Sequence, residues 1–262
     1  MYNLGLDIGS TSTQMVVIDA KVLRLRFIDQ LPTGSSLQTT ASILFKRAKK
    51  YLSCGDADFV GMVATGYGRK LLSFDQIEKN EITEISCYAR GAKFLNHKVR
   101  TIIDIGGQDS KVISLNDNTG VNDFVMNDKC AAGTGKFLEM VALQFDLSLT
   151  EMSSLSSASS KKTPISNICA VFAQTEIIHM IASGIKVEDI INSAEVAIAD
   201  RIAGMVGRVG LKNDVMFCGG VAKNYGMIRN LKNKLNTNLF IPDHVEFVGA
   251  IGAALFSANA TK

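Results

Sequence analysis

Asp7-Ile-Gly-Ser-Thr-Ser-Thr13 opens the chain, and a near-copy, Asp104-Ile-Gly-Gly-Gln-Asp-Ser110, returns about a hundred residues later. Leu4-Gly-Leu6 precedes the first copy and Thr101-Ile-Ile103 the second. An apolar run that ends in Asp and then Gly reads as a buried strand breaking into a tight turn. Glycine lets the backbone approach a ligand closely, and successive N–H groups beside hydroxyls cradle phosphate. A carboxylate at the strand end suits a hydrated Mg²⁺. One such turn in each half predicts two lobes holding one nucleotide between them. Asp7 and Asp104 are its expected Mg²⁺ carboxylates. Gly9, Ser10, Thr11, Ser12 and Thr13, then Gly106, Gly107 and Gln108, are its expected phosphate contacts. Gln108 reads either as the amide that orients an attacking water or as a turn-stabilising side chain.

The order of elements supports this. Strands are expected up to Asp7, over Gln14–Ile18 and over Val22–Ile28, with Asp19-Ala20-Lys21 as a hairpin turn. A helix follows from Ser36 to Leu52, then a strand over Phe59–Ala64 and a helix over Glu81–Leu95. The cycle repeats with strands at Thr101–Asp104, Lys111–Leu115 and Phe124–Met126. Helices are expected at Gly135–Phe145, Cys169–Ala182, Val187–Val209, Val221–Leu235 and Phe247–Ser257. Val215–Cys218 reads as a strand entering Gly219 and Gly220. The Ser-rich stretch Ser153–Lys162 reads as a mobile loop. The fold class is therefore α/β, with a first lobe over residues 1–98, joined by a returning helix at 246–262, and a second over 99–245.

Composition narrows the function. The chain has 262 residues, is 47% hydrophobic and 20% charged, and contains 3 Pro, which fits a globular protein. A net charge of +3 without a dense basic stripe gives no reason for a nucleic-acid partner. No apolar run reaches the roughly 18 residues of a membrane helix and no export signal is visible, so the cytoplasm is the expected compartment. Its 5 cysteines are then expected as thiols or ligands. Cys130 sits in the polar, Gly-rich run Lys-Cys-Ala-Ala-Gly-Thr-Gly, and Cys169 follows Ser166-Asn167, a plausible helix cap. Cys54, Cys87 and Cys218 read as packing residues. Gly133, Thr134, Gly135 and Lys136 open a helix whose N–H groups suit either a phosphate or a cluster. Arg69 reads equally as a cleft residue and as an exposed loop arginine.

Taken together these stretches resemble the superfamily of actin, heat-shock-70 proteins and sugar and acetate kinases, whose fold is two-lobed and ribonuclease H-like. Within it the chain resembles the BadF/BadG/BcrA/BcrD-type ATPases that activate 2-hydroxyacyl-CoA dehydratases. The resemblance rests on Thr65-Gly-Tyr-Gly-Arg69, Glu81-Ile-Thr-Glu-Ile-Ser-Cys87, Asp104-Ile-Gly-Gly-Gln-Asp-Ser-Lys111, Asn127-Asp-Lys-Cys-Ala-Ala-Gly-Thr-Gly135, Cys169-Ala-Val-Phe-Ala173 and Gly249-Ala-Ile-Gly-Ala-Ala-Leu255. It implies an adenosine loop at Gly219-Gly220 and a homodimer sharing one [4Fe–4S] cluster through Cys130 and Cys169 of each subunit. It further implies ATP-driven electron donation to a partner dehydratase, with ferredoxin or flavodoxin as the donor. Two thiolates per chain cannot complete a four-cysteine cluster, and two-fold symmetry doubles them. The alternatives are a small-molecule kinase of the same superfamily and a cluster-free regulatory protein; both leave Cys130 and Cys169 without a role.

Overall fold

In the computed structural model the described residues are all but 73, 75, 76, 118, 119, 160–163, 166–168, 261 and 262, with the side chains of 259 and 260 also left aside. The chain divides into two units: Met1–Val99 with Leu115–Val121 and Glu246–Lys262, and Arg100–Ser114 with Asn122–Val245.

The first unit is built on β1 (Tyr2–Ile8), β2 (Ser12–Asp19), β3 (Leu25–Pro32), β4 (Phe59–Thr65) and β5 (Lys79–Glu81), ordered β3-β2-β1-β4-β5. β1 is antiparallel to β2 with Leu4 opposite Val17, and parallel to β4. Its side chains are buried almost throughout, as a central strand covered on both faces requires. Helix α1 (Leu37–Leu52) covers one face with Ala41, Leu44, Phe45 and Ala48. Ser36 starts it by accepting from the Thr39 N–H, and Ser53 ends it in the left-handed region. The other face takes α8 (Val248–Ala260), whose Ala250, Ile251, Ala254 and Leu255 pack on Val16 and Ile18. A Cβ on Gly5 would run into the backbone of Ala250 and Ala254. Helix α2 (Glu84–Leu95) lies as close to α8, through Gly91 and Gly252.

The second unit repeats the plan. β6 (Thr101–Ile105), β7 (Ser110–Leu115), β8 (Val121–Asn127), β9 (Val215–Cys218) and β10 (Leu239–Phe240) are ordered β8-β7-β6-β9-β10. β6 is antiparallel to β7 and parallel to β9. Helices α3 (Gly135–Gln144), α4 (Leu149–Ser156), α5 (Ala170–Ala182), α6 (Val187–Val209) and α7 (Tyr225–Leu235) complete it. Their core joins Ile103, Ile105 and Phe217 from the sheet to Phe137, Ile177, Ile191, Ile198 and Leu231.

Several elements differ from expectation. The hairpin after β2 is longer than three residues, because the Asp19 carboxylate accepts from the Lys21 and Val22 N–H groups and carries the chain to Arg24 before β3 begins. Those two N–H groups also hold the Asp19 carboxyl below its ordinary value. The second helix begins at Glu84, since Thr83 caps it, and Lys79–Glu81 is an additional edge strand. The expected loop at Ser153–Lys162 is partly helix α4, started by a Ser148–Glu151 capping box; residues 160–162 lie outside the described residues. The helix expected over Val221–Leu235 is a 3₁₀ turn at Gly220–Lys223 followed by α7, which Asn224 caps. Among the described residues no helix is long and apolar enough to cross a membrane.

Candidate functional site

The two Asp-Ile-Gly turns share a backbone. Gly9 N–H donates to Ser12 O at 3.0 Å, and Gly106 N–H donates to Asp109 O at 2.9 Å. In each unit the strand parallel to the Asp strand ends in a glycine at positive φ: Gly66 at +82° after β4 and Gly219 at +85° after β9. A Cβ on Gly66 would lie 2.5 Å from Asp7 Oδ1, and one on Gly219 would lie 2.7 Å from Asp104 Oδ1. Each carboxylate is thus seated against a neighbouring backbone that only glycine permits. On its other side Asp7 meets Gly249 of α8, where a Cβ would strike Oδ2. Asp7 and Asp104 are 4% and 1% exposed, so these are not ordinary solvent-facing turn carboxylates.

The neighbours across the strands differ. Register sets Asp7 opposite Gln14 and beside Thr65, but Asp104 opposite Lys111 and beside Cys218. Gln14 donates to Ser12 Oγ and Gln30 Oε1. Lys111, 1% exposed, places its Nζ 3.1 Å from Asp104 Oδ2 and 2.7 Å from Asp109 Oδ2. The Cys218 thiol donates toward Asp104 Oδ1 at 3.7 Å. Burial pushes that thiol well above its ordinary value, and the Asp104 carboxylate adds to the shift. By itself the sequence assigns Lys111 and Asp109 no role; their signal is two acidic residues and one lysine, Asp104, Asp109 and Lys111, inside one strand–turn–strand run.

Of the hydroxyls after Gly9, Ser10 and Thr11 are exposed, whereas Thr13 is buried and bonded to Thr33 Oγ1 at 3.0 Å. Gln108 stands exposed on its turn. Gly219 N–H donates to Val245 O, and Gly220 begins the 3₁₀ turn that leads to Asn224.

The start of α3 has an unexpected use. The N–H groups of Gly135 and Lys136 donate to the carbonyls of Gly106 and Gly107, both at 2.8 Å. These N–H groups are therefore spent on the phosphate-type turn itself. Thr134 closes on Ala131 O through both N–H and hydroxyl, and Lys136 Nζ pairs with Glu139. Gly133 is buried against Arg201 and Asn127. Cys130 immediately precedes the 3₁₀ turn Ala131–Gly133, and its carbonyl accepts from Asn127 Nδ2 at 2.9 Å. The Asp104 turn and the Cys130 segment are thus joined inside one unit by consecutive backbone hydrogen bonds.

Cys169 caps the start of α5, and its carbonyl accepts from Ala173 N–H. Its expected Ser166-Asn167 cap lies outside the described residues. All 5 cysteines are thiols, with Cys130 and Cys169 half-buried. Cys87 is buried in α2 and pushed up to about 12, chiefly by burial; burial also raises Cys54. Next to Cys169, α5 buries Ala173, Ile177 and Met180 but exposes Val171, Phe172 and Ile178. Among the described residues no three His, Cys, Asp or Glu side chains gather as a metal site. Cys54 is half-buried as well, so position rather than burial separates the five: Cys130 and Cys169 stand at helix-type starts, Cys54 follows the end of α1, and Cys87 and Cys218 are buried. The pair at helix-type starts suits half of a Cys₄ set. The glycine-seated carboxylates suit a hydrated Mg²⁺.

The chain is 41% identical to an activator of lactoyl-CoA dehydratase from Anaerotignum propionicum, over 100% of this chain and 99% of the relative. A solved activator of 2-hydroxyisocaproyl-CoA dehydratase from Clostridium difficile, with bound ADPNP, superposes with a TM-score of 0.91 at 37% identity, covering 100% of this chain and 96% of that one. Component A of the Acidaminococcus fermentans (R)-2-hydroxyglutaryl-CoA dehydratase gives a TM-score of 0.93 at 33% identity, over 100% and 99% of the two chains. The sequence pattern of the BadF/BadG/BcrA/BcrD ATPase family matches residues 4–257, and the chain belongs to that family.

Proposed function

We propose that this chain is an ATP-dependent activator of a 2-hydroxyacyl-CoA dehydratase or a related CoA-ester reductase. It works as a homodimer whose two copies hold one [4Fe–4S] cluster through Cys130 and Cys169 of each. Ferredoxin or flavodoxin is the electron donor. The observation that carries the reading is the pair of hydrogen bonds from Gly135 and Lys136 to Gly106 and Gly107, because they tie a nucleotide-type turn to the cysteine segment. The kinase reading gives Cys130 and Cys169 no role. The relatives named above are activators of such dehydratases, and one holds an ATP analogue.

The residues divide the work. Asp7 and Asp104 would hold a hydrated Mg²⁺, which would neutralise phosphate charge, and the turns at Gly9–Thr13 and Gly106–Gln108 would take the phosphates. Gly219 and Gly220 take the adenosine, and Gln108 orients the attacking water. Hydrolysis is positioning and charge stabilisation, with no covalent nucleophile required. When bound, the cluster supplies the low-potential electron. Cys130 and Cys169 hold it, and the exposed Val171, Phe172 and Ile178 beside Cys169 supply an apolar face for the second copy. A movement of the Asp104 turn pulls on α3 and so on Cys130. Ordinary coupling of about 1–3 kcal/mol is enough to shift a one-electron potential by roughly 100 mV, which is about 2.3 kcal/mol.

The test is iron and sulfide content together with activation of a dehydratase under anaerobic conditions. The wild type is expected to carry about four irons per dimer and to activate only with MgATP and reductant. Cys130→Ser and Cys169→Ser should lose the cluster and electron delivery yet retain ATP binding. Cys54→Ser, Cys87→Ser and Cys218→Ser should keep the cluster. A full iron complement in the Cys130 or Cys169 variant would overturn the assignment.

A further inference from the structure

Lys111 is a charged side chain that the mechanism above does not use. It lies on β7 directly opposite Asp104 and is 1% exposed. At that burial its ammonium cannot reach a bound phosphate in the manner of a surface lysine. What it does reach is two carboxylates: Asp104 Oδ2 at 3.1 Å and Asp109 Oδ2 at 2.7 Å. These two aspartates mark the two ends of the phosphate-type turn. Asp109 also folds back on it, with its carbonyl accepting from Gly106 N–H at 2.9 Å and its Oδ1 2.8 Å from where a Gly106 Cβ would stand. Two carboxylates this close, one buried and one partly exposed, repel each other unless a cation sits between them. Asp104 Oδ1 is meanwhile steered by the Cys218 thiol and seated on Gly219. Both oxygens of Asp104 therefore have fixed neighbours before any metal arrives.

Resting on the ATPase reading, we propose that Lys111 is a positioning residue of the phosphate turn. It holds Asp104 and Asp109 in place and, as a built-in cation, tempers how strongly Asp104 attracts Mg²⁺. The corresponding register position in the other unit carries neutral Gln14, so this tempering is confined to one of the two turns.

The proposal predicts shifts of opposite sign from two substitutions, a signature that a purely structural role does not produce. Lys111→Met removes the competing positive charge, so Mg²⁺ should bind about threefold more tightly while turnover falls at least about tenfold, because Asp104 is no longer oriented. Asp109→Asn leaves the whole ammonium on Asp104, so Mg²⁺ should bind about threefold more weakly. The measurement is calorimetric titration of Mg²⁺ into protein saturated with ADP, alongside ATP hydrolysis as a function of free Mg²⁺. Unmoved Mg²⁺ affinities, or shifts of the same sign in both variants, would overturn the proposal. If Lys111→Met does not fold, Asp109→Asn decides alone, and an unchanged or tightened Mg²⁺ affinity overturns it. A wild type that binds ADP with no Mg²⁺ dependence defeats this proposal and leaves nucleotide binding standing. A wild type that binds neither defeats the ATPase reading beneath it.

Discussion

The Asp7 turn and the Asp104 turn are the same piece of backbone in two chemical settings. Both end the central strand of a five-stranded sheet, both close with a glycine N–H to a carbonyl three residues on, and both rest on a positive-φ glycine of the parallel neighbour. Around Asp7 stand an amide, a hydroxyl and the glycine of α8. Around Asp104 stand a buried ammonium, a buried thiol and the start of the helix that follows Cys130. Under the proposed function the repeated backbone would supply two places for a phosphate. The unrepeated side chains would let one answer to the nucleotide alone while the other, bonded to the start of α3, connects to the segment of Cys130.

The largest expected effect treats the two turns alike. Asp7→Asn and Asp104→Asn should each lower Mg-dependent ATPase turnover by about a hundredfold while the circular dichroism spectrum stays native. Normal turnover in either folded variant would remove that residue from the metal site and break the equivalence.

Next in size are the glycines beneath the carboxylates. Gly66→Ala and Gly219→Ala each force a side chain into the left-handed region and onto an Asp oxygen. Each should cost about 2 kcal/mol or more in denaturant unfolding. If one is neutral, the two seats are not alike.

A smaller effect separates the two cores. Glu195 in α6 is fully buried beside Ser156, Asn224 and Arg229, and burial raises its carboxyl to about 7 against those three opposing neighbours. Between the ordinary glutamate value of 4.5 and about 7 the native state keeps a proton that the unfolded chain has lost. Stability should therefore fall as pH rises through that window, by at most roughly 1 kcal/mol per pH unit, and level off above it. Glu195→Gln should flatten the slope. An equal slope in wild type and variant, by urea titration at pH 5, 6 and 7, would show that Glu195 does not titrate there.

Much of this arrangement was legible in the sequence. The Asp-Ile-Gly repeat and its apolar run-ups marked both central strands, because a buried strand leaves a short, continuous hydrophobic signature. Cys87 and Cys218 read correctly as packed thiols from their apolar surroundings. The pairing of Gly66 with Gly219 was hidden, since Tyr67-Gly-Arg69 and Gly220-Val-Ala222 share nothing beyond that glycine. Lys111 escaped because a lysine in a strand ordinarily faces water, and only the register opposite Asp104 accounts for its burial. The ambiguity over Gly133–Lys136 could not be settled locally: which carbonyl a helix's first N–H groups find depends on the tertiary fold. Helix α4 was missed although its capping box, Ser148 and Glu151, was on view, because the serines beyond it read as a loop. Strands β5 and β10, of 3 and 2 residues, are too short to show a period.

The most direct test of the wiring is the rate at which a chelator bleaches iron from the anaerobic wild type, with saturating ADP and with a non-hydrolysable ATP analogue. The comparison variant is Gly135→Pro, which removes the N–H donated to Gly106 and forces that turn away from α3, since even a Cβ there would lie 3.1 Å from the Gly106 carbonyl oxygen. If the Asp104 turn drives the Cys130 segment, the two nucleotides should give wild-type rates about fivefold apart or more, the lower end of ordinary site-to-site coupling. In Gly135→Pro the rates should converge while ATP binding persists. Equal rates in the wild type under both nucleotides would contradict the account.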